Sequence, residues 1–457
     1  MLSYAPLRRI VHRPSSRIRN PFILTRVHHH ASDLAFDRGW ISAAALQVAE
    51  TLQAAGFDGY LVGGCVRDLL LHRRPKDFDI TTNAGPEQVK QLFRRSRIIG
   101  RRFKLVHVRF GRELIEVATY RAKPGRAAAG RAGVRPLSER GRVVDDNVFG
   151  SIEQDAARRD FTINALYYDP VRERVMDFLG GVKDARKRTL RMIGDPCERF
   201  TEDPVRMLRA IRFHAKLDLT LEERLPPAIA DCLELLEDVP AARLYDEVLK
   251  MFHHGHALAA WNKLHRYNLA SKLFPLTVNT FGGQHGRAAE GLIRRALENT
   301  DQRIGQGKPV IPAFLFAVLL WLPFKRELAA QRKSMPLNEA VWAAVEAVFS
   351  RQSRRVAVPR RVSGAVGEIW AMQSDLEQRR PKAVPRLLGE RRFRAGYDFL
   401  LLRQRIGEVD EELARWWTDI QENGPAPAPP PPRVAGRASS SRRKPSRPVG
   451  RASSGAA

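Results

Sequence analysis

Cysteine is scarce in this chain: Cys65, Cys197 and Cys232 are the only three in 457 residues. They are widely spaced and form no CxxC pair. A disulfide framework and a thiolate zinc site are therefore not expected, and the usage suits a reducing, cytoplasmic setting. Long apolar runs are missing too. The most apolar stretch, Ala313 to Leu322, is too short to cross a bilayer and is bounded by Pro312 and Pro323, so it reads as a buried helix and no transmembrane segment is expected. Acid is absent from residues 1–32, which hold six Arg, and again after Glu422, where seven Arg or Lys follow. The first stretch has the charge of an organellar presequence, but its scattered prolines and lack of a clean amphipathic face make it a flexible basic arm. The second is dominated by Pro, Ala, Ser, Gly and Arg and cannot bury enough apolar surface to order itself.

What is present is positive charge on a globular composition. Lys and Arg total 78 against 50 Asp and Glu, a formal net charge of +28, with 44% hydrophobic residues. The six basic residues of one arm and the seven of the other leave +15 on the remaining chain, so the body is itself basic. Such a charge points to a polyanionic partner, nucleic acid or an anionic membrane surface, although Arg outnumbers Lys roughly four to one, as compositional drift in a GC-rich genome also gives.

Patterning divides the chain into an α/β head, an all-helical body and two loose basic arms. We expect an N-terminal arm over 1–40, the head over 41–182, a helical neck over 183–255, a helical body over 256–423 and a C-terminal tail over 424–457. In the head, a helix over Ile41–Ala55 precedes the short strand Tyr60–Val62, the turn Gly63-Gly64 and a further helix. A strand over Asp77–Thr81 and a helix from Pro86 follow, then Lys104–Phe110 and Glu113–Tyr120 alternate as a hairpin about Gly111-Arg112. Lys123 to Arg142, rich in Gly, Ala and Arg, reads as a surface loop. From about Lys183 helical periodicity prevails, as in Pro204–Lys216, Ala241–His253 and Phe393–Arg405.

The densest chemical signal is Leu61-Val62-Gly63-Gly64-Cys65-Val66-Arg67-Asp68, followed by Lys76-Asp77-Phe78-Asp79-Ile80. Two glycines between a strand and a helix let backbone N–H groups approach a phosphate, and Arg67 can add a charge-assisted contact. Asp77 and Asp79, two apart on one strand, project from one face as paired hard ligands suited to Mg²⁺. An ordinary turn followed by surface aspartates accounts for either half alone; both halves at this spacing are far more specific. Two histidine tracts, His28-His29-His30 and His253-His254-Gly255-His256, lack an accompanying acid or Cys at zinc spacing, and Trp416-Trp417 reads as a packing anchor.

These motifs resemble the active-site signature of the polymerase-beta-type nucleotidyltransferases, in the subgroup of tRNA CCA-adding enzymes and bacterial poly(A) polymerases. Arg158-Arg159-Asp160-Phe161-Thr162-Ile163-Asn164-Ala165 resembles the second family motif, and Glu202 to Phe213, with Asp203, Arg206, Arg209 and Arg212 at intervals of three on a helix, resembles the nucleotide-reading motif. The resemblance runs from about Gly56 to Tyr245, with a weaker likeness through Pro359–Arg405. It implies Mg²⁺-dependent transfer of AMP from ATP to an RNA 3′-hydroxyl without a template. Asp77 and Asp79 would hold metal and Asp160 would join them as a catalytic residue, with Glu116 a rival third carboxylate. Gly63, Gly64, Arg67 and Arg159 would hold phosphates or ribose. Asp203 and Arg206, with Arg209 and Arg212 beside them, would read adenine. The neck over 183–255 would read the nucleotide and the body over 256–423 would bind RNA; implied partners are RNA 3′ ends, ATP and proteins of RNA decay, and the implied role is mRNA turnover. Two rivals stand: a CCA-adding enzyme, and a non-enzymatic RNA-binding protein on a decayed head. The basic element Ile98 to Val108, with Gly100-Arg101-Arg102-Phe103-Lys104 at its centre, and the basic tail favour poly(A) addition. The decayed head would need a missing ligand, and Asp77, Asp79 and Asp160 are all present.

Overall fold

The computed structural model describes residues 26–34, 36–100, 104–122, 148–282 and 286–424. The 123–142 loop, the arms up to residue 25 and from 425 onward, and the Arg101-Arg102-Phe103 part of the basic element lie outside them.

The head is one mixed sheet of eight strands. They are β1 (Val27–His30), β2 (Tyr60–Val62), β3 (Asp79–Thr82), β4 (Ser96–Ile99), β5 (Leu105–Phe110), β6 (Glu113–Thr119), β7 (Leu166–Asp169) and β8 (Arg174–Asp177), in the spatial order β1-β8-β7-β2-β3-β6-β5-β4. Only β3 and β6 run parallel; β5–β6 is the expected hairpin, turning at Gly111 with φ 55°. Helices α1 (Ala43–Ala54), α2 (Gly64–Leu70) and α3 (Pro86–Leu92) cover one face, where Val48, Leu52, Val66, Leu69, Ile80 and Val117 are fully shielded. Ser42 starts α1 by accepting from the N–H groups of Ala44 and Ala45, and Pro86 opens α3. A smaller core of Val62, Tyr120, Ile152 and Tyr167 lies under α4 (Ile152–Arg158) on the other face.

Two expectations are corrected here. Residues 27–30 of the supposed N-terminal arm form β1, pairing antiparallel with β8 in the register Val27↔Asp177 to His30↔Arg174. The region after Lys183 is not wholly helical: β9 (Thr189–Leu190) and β10 (Thr220–Leu221) make a small parallel pair.

After α5 (Gly181–Arg186) come α6 (Pro196–Glu202), α7 (Val205–Lys216), α8 (Leu225–Asp231), α9 (Ala241–Phe252) and α10 (Ala257–Arg266). Further helices include Gly286–Gly305, Pro312–Leu319, Trp321–Gln331, Leu337–Gln352, Arg360–Glu377, Phe393–Arg405 and Glu411–Asn423. One continuous apolar core runs from Phe161 and Phe200 through Ile211 and Phe252 to Phe316 and Trp370. The apolar run of 313–322 is buried within it, as its composition requires. Trp417 packs in a separate C-terminal cluster, its indole N–H donating to the Leu376 carbonyl at 2.9 Å. Among the described residues no helix is long and apolar enough to cross a membrane.

Candidate active site

Strand β2 ends in Gly63, at φ 72° and ψ −116°, a backbone state that side chains with a Cβ rarely adopt. A Cβ there would also lie 3.1 Å from Nη1 of Arg159. Gly64 begins α2 with ordinary space around it, a Cβ meeting nothing nearer than Arg67 Nη2 at 3.7 Å. The turn thus presents backbone beside a guanidinium at a helix start.

The carboxylates lie on the neighbouring strands. Asp77 stands two residues before β3, so only Asp79 is in the strand proper, but exposure alternates from Asp77 through Ile80 and puts both aspartates on the solvent side. Glu116 of β6 is the register partner of Asp79. His107 of β5 lies opposite Glu116, its Nε2 3.2 Å from Oε1. Asp79 touches solvent yet is walled by protein on most sides. Burial first, then the charge of Glu116, push its carboxyl up to about 6; Arg159 opposes this and Asp77 adds to it. Among the described residues no group of three or more His, Cys, Asp or Glu is gathered so as to hold a metal ion. Crowded carboxylates on an open face instead fit Mg²⁺, which keeps waters and substrate oxygens among its ligands.

The second motif is built inward. Asp155, buried in α4, accepts from Arg158 at 3.2 Å, Arg159 at 2.9 Å and the Tyr167 hydroxyl at 2.8 Å. Burial would raise its pKa, but Arg159 and Arg158 hold it low. Arg159 also reaches the Asn164 carbonyl at 3.3 Å, so it is steered toward Gly63. Asp160 is 9% exposed; its Oδ1 accepts from the Phe161 N–H and Asn164 Nδ2, and its Oδ2 from Arg209 Nε at 2.8 Å and Nη2 at 2.5 Å. Burial works against ionisation, yet Arg209 and these donors bring its carboxyl down to about 2. Its acceptor capacity is largely used within the protein, whereas Glu116 stands beside Asp79.

Arg67 is buried too. Its Nη1 donates to Asn164 Oδ1 at 2.8 Å, its Nε and Nη2 to Asp68, and its guanidinium lies 5.1 Å from the centre of the Phe213 ring. Arg209 and Arg212 approach the same ring at 5.5 and 4.6 Å. Arg212 faces Glu247 of α9 at 3.4 Å. Asp203 corrects the expected helical series: it lies in the turn between α6 and α7, at φ −152° and ψ 97°, with Arg243 at 3.0 Å from Oδ2. Arg206 donates to Glu202 at 2.9 Å and to the Arg199 carbonyl at 2.8 Å.

Asn164, Asp155 and Arg199 were not singled out from the sequence. Arg199, 3% exposed, donates to the carbonyls of Arg158 and Arg159, both at 2.6 Å, and so fixes the second motif against α6. The buried carboxylate at i and arginines at i+3 and i+4 in α4 were a readable signal for Asp155. A cationic surface flanks the carboxylates: Arg73 anchors to the Lys216 carbonyl at 2.8 Å, and Lys76, Arg212 and the side chains of His254 and His256 lie within electrostatic reach of Lys216.

Family models match three parts of the chain: "Poly A polymerase head domain" over residues 59–191, "Probable RNA and SrmB-binding site of polymerase A" over 218–280, and "Polymerase A arginine-rich C-terminus" over 333–451. The chain is 44% identical over 384 residues to poly(A) polymerase I of Haemophilus influenzae, covering 83% of this chain and 84% of that one. It is 42% identical over 398 residues to poly(A) polymerase I of Salmonella typhi, covering 86% and 85%. A CCA-adding enzyme of Lactobacillus helveticus is 40% identical, but over 48% of this chain and 51% of its own. Among solved structures, an apo CCA-adding enzyme has the same fold, with TM-score 0.59 and 20% identity over 86% of this chain and 87% of that one. By its sequence and its head, the chain belongs to the bacterial poly(A) polymerase family, in the nucleotidyltransferase group that also holds the CCA-adding enzymes.

Proposed function

We propose that this protein adds adenylate to RNA 3′ ends without a template, taking AMP from ATP and releasing pyrophosphate. The observation that carries the reading is a positive-φ Gly63 turn beside the Asp79–Glu116 pair in a chain related to poly(A) polymerase I over more than four-fifths of its length. In sequence the CCA-adding relative matches only about half the chain, whereas poly(A) polymerase I relatives match more than four-fifths of it, which favours poly(A) over CCA addition. The intact carboxylate face speaks against a purely RNA-binding role.

Asp77 and Asp79, with Glu116 beside them, would hold Mg²⁺, which when bound neutralises triphosphate charge and polarises the attacking oxygen. The Gly63–Gly64 backbone and Arg159 receive the triphosphate at the α2 start. The RNA 3′-hydroxyl oxygen attacks the α-phosphorus in line and gives up its proton to solvent; that bond forms as the bond from the α-phosphorus to the bridging oxygen breaks, and pyrophosphate leaves with the electron pair. Asp203 and Arg206 read the base edge, exchanging Arg243 and Glu202 for adenine. Asp160 and Arg67 act behind them, holding the reading helix and the Gly63 turn through Arg209, Asn164 and Phe213.

We assign residues 27–182, with β1, to the head, 183–255 to the neck and 256–423 to the body, with arms before residue 27 and over 424–457. We also place the activity in the cytoplasm, in mRNA turnover with RNA-decay partners; three free cysteines and the match to an RNA- and SrmB-binding model support this. Incubating the protein with Mg²⁺, labelled ATP or CTP, and an unrelated RNA tests the activity. Long A-tails support it; CCA ends, or no extension, overturn it.

A further inference from the structure

The body contains an open cavity of about 490 Å³ between the helices Gly286–Gly305, Pro312–Leu319 and Phe393–Arg405, with His253 in one wall. That volume suits one small-molecule-sized group. Ile311, Phe314 and Leu401 give it an apolar surface, and Ile311 is 38% exposed. Its rim is cationic, and several of its arginines are already answered: Arg303 donates to the Pro309 carbonyl at 3.2 Å, and Arg392 and Arg394 pair with Glu368 and Asp398. Arg391 and Arg405 are exposed and have no partner among the described residues, and the amides of Asn299 and Gln302 are equally unengaged. Asp398, the one acid lining the cavity among the described residues, is taken by Arg394. Free guanidiniums, free amides and an apolar ring face together match the phosphate, base edge and base face of an unpaired nucleotide.

Its position ties this cavity to the site. His253 follows the α9 segment whose Glu247 faces Arg212, about 9 Å further along the helix axis at 1.5 Å per residue. The same turn carries His254 and His256, which face the cations Lys216, Lys76 and Arg73. Cations therefore stand near His254 and His256 of the turn and line the cavity beside His253, the buried histidines themselves being uncharged at neutral pH. Asp301 fixes that turn by accepting from the N–H groups of Ala257 at 2.6 Å and Leu258 at 3.1 Å.

We propose that this cavity binds one nucleotide of the RNA strand upstream of the 3′ end being extended. The inference rests on reading the chain as an RNA 3′-extending enzyme. An upstream grip of this kind distinguishes RNA long enough to span from the carboxylates to the body from RNA that ends before it.

The test uses the full chain and fluorescent oligoadenylates of graded length, with binding followed by anisotropy over a salt series and without ATP. In wild type, affinity should step up at one length. Arg391→Gln with Arg405→Gln should remove that step and flatten the slope of log K against log salt by roughly 0.7 for each phosphate no longer neutralised, while oligonucleotides below the step lose nothing. Phe314→Leu should lower affinity above the step and leave the salt slope alone. In turnover the loss should fall on KM for long RNA. Equal losses at every length would overturn the proposal, because general charge attraction predicts them. So would unchanged RNA binding, including the case in which an acidic peptide binds the cavity instead. A wild type that shows the length step but adds no adenylate overturns the proposed activity and leaves the cavity assignment standing.

Discussion

The Asp160 carboxylate and the Arg209 guanidinium meet across 49 residues of chain, and through them the second head motif holds the helix α7. Removing either partner leaves a charge in a mostly buried place. Arg209→Ala should cost roughly 3 kcal/mol, the low end for a broken buried pair, because part of Arg209 reaches water. Urea unfolding measures this. A loss below about 0.5 kcal/mol would mean that the pair does not hold head and neck together.

Acid should expose the same pair. The Asp160 carboxyl lies at about 2 in the folded protein, below its ordinary value of about 3.9, so its contribution is present above the ordinary value and is lost as pH falls toward 2. Asp160→Asn should flatten the stability–pH curve between those limits.

His253 should act at milder pH. Burial lowers its pKa from 6.5 to about 4, so the unfolded chain takes up a proton in that window before the folded protein does. Stability should be full above about 6.5 and fall on acidification toward 4, by up to about 3 kcal/mol from this residue. His214, His254, His256 and His265 are lowered too and share the slope. His253→Gln should make the fall shallower; an unchanged slope would assign it to the others.

The carboxylates should separate by role. Asp77→Asn, Asp79→Asn and Glu116→Gln should each cut adenylation by more than the roughly 10–100-fold typical of residues that merely support a metal site, with RNA binding retained. If Asp160→Asn is as severe as Asp79→Asn in turnover while Glu116→Gln is mild, Asp160 is the third carboxylate and Glu116 is not.

The two turn glycines should respond differently. Gly63→Ala forces a side chain into a strained conformation against Arg159, costing about 1–3 kcal/mol of stability together with activity. Gly64→Ala meets only ordinary contact, so folding should be unaffected while KM for ATP rises, because the added methyl stands where the triphosphate approaches the backbone. An unchanged KM would remove Gly64 from the nucleotide site.

Local features of this site were legible in the sequence, and the long-range ones were not. The strand Tyr60–Val62, the glycine turn and the hairpin about Gly111 follow from neighbouring residues and appear where their pattern puts them. Asp203 departs from the helical series because Pro204 follows it, and a residue before proline is pushed out of the helical region. Arg67 reads locally as a phosphate contact; only the fold brings Asn164, 97 residues away, to occupy its Nη1. β1 was hidden because nothing near Val27 signals its pairing with Asp177. Neither Glu116 nor Asp160 carries a local sign of its role. What separates them is register beside Asp79 for one and Arg209 for the other.

The edge strand β1 also sets an order of events during synthesis. It is made before its partner, so it can be stitched to the sheet only after β8 has emerged, and nearby Arg38 waits 135 residues for its partner Glu173. At about 5–20 residues per second, that is on the order of ten seconds in which the histidine-rich strand has no place to pair. A chain begun after His30 would leave β8 as the exposed edge in place of the short four-residue β1, and should be the form more prone to associate edge to edge.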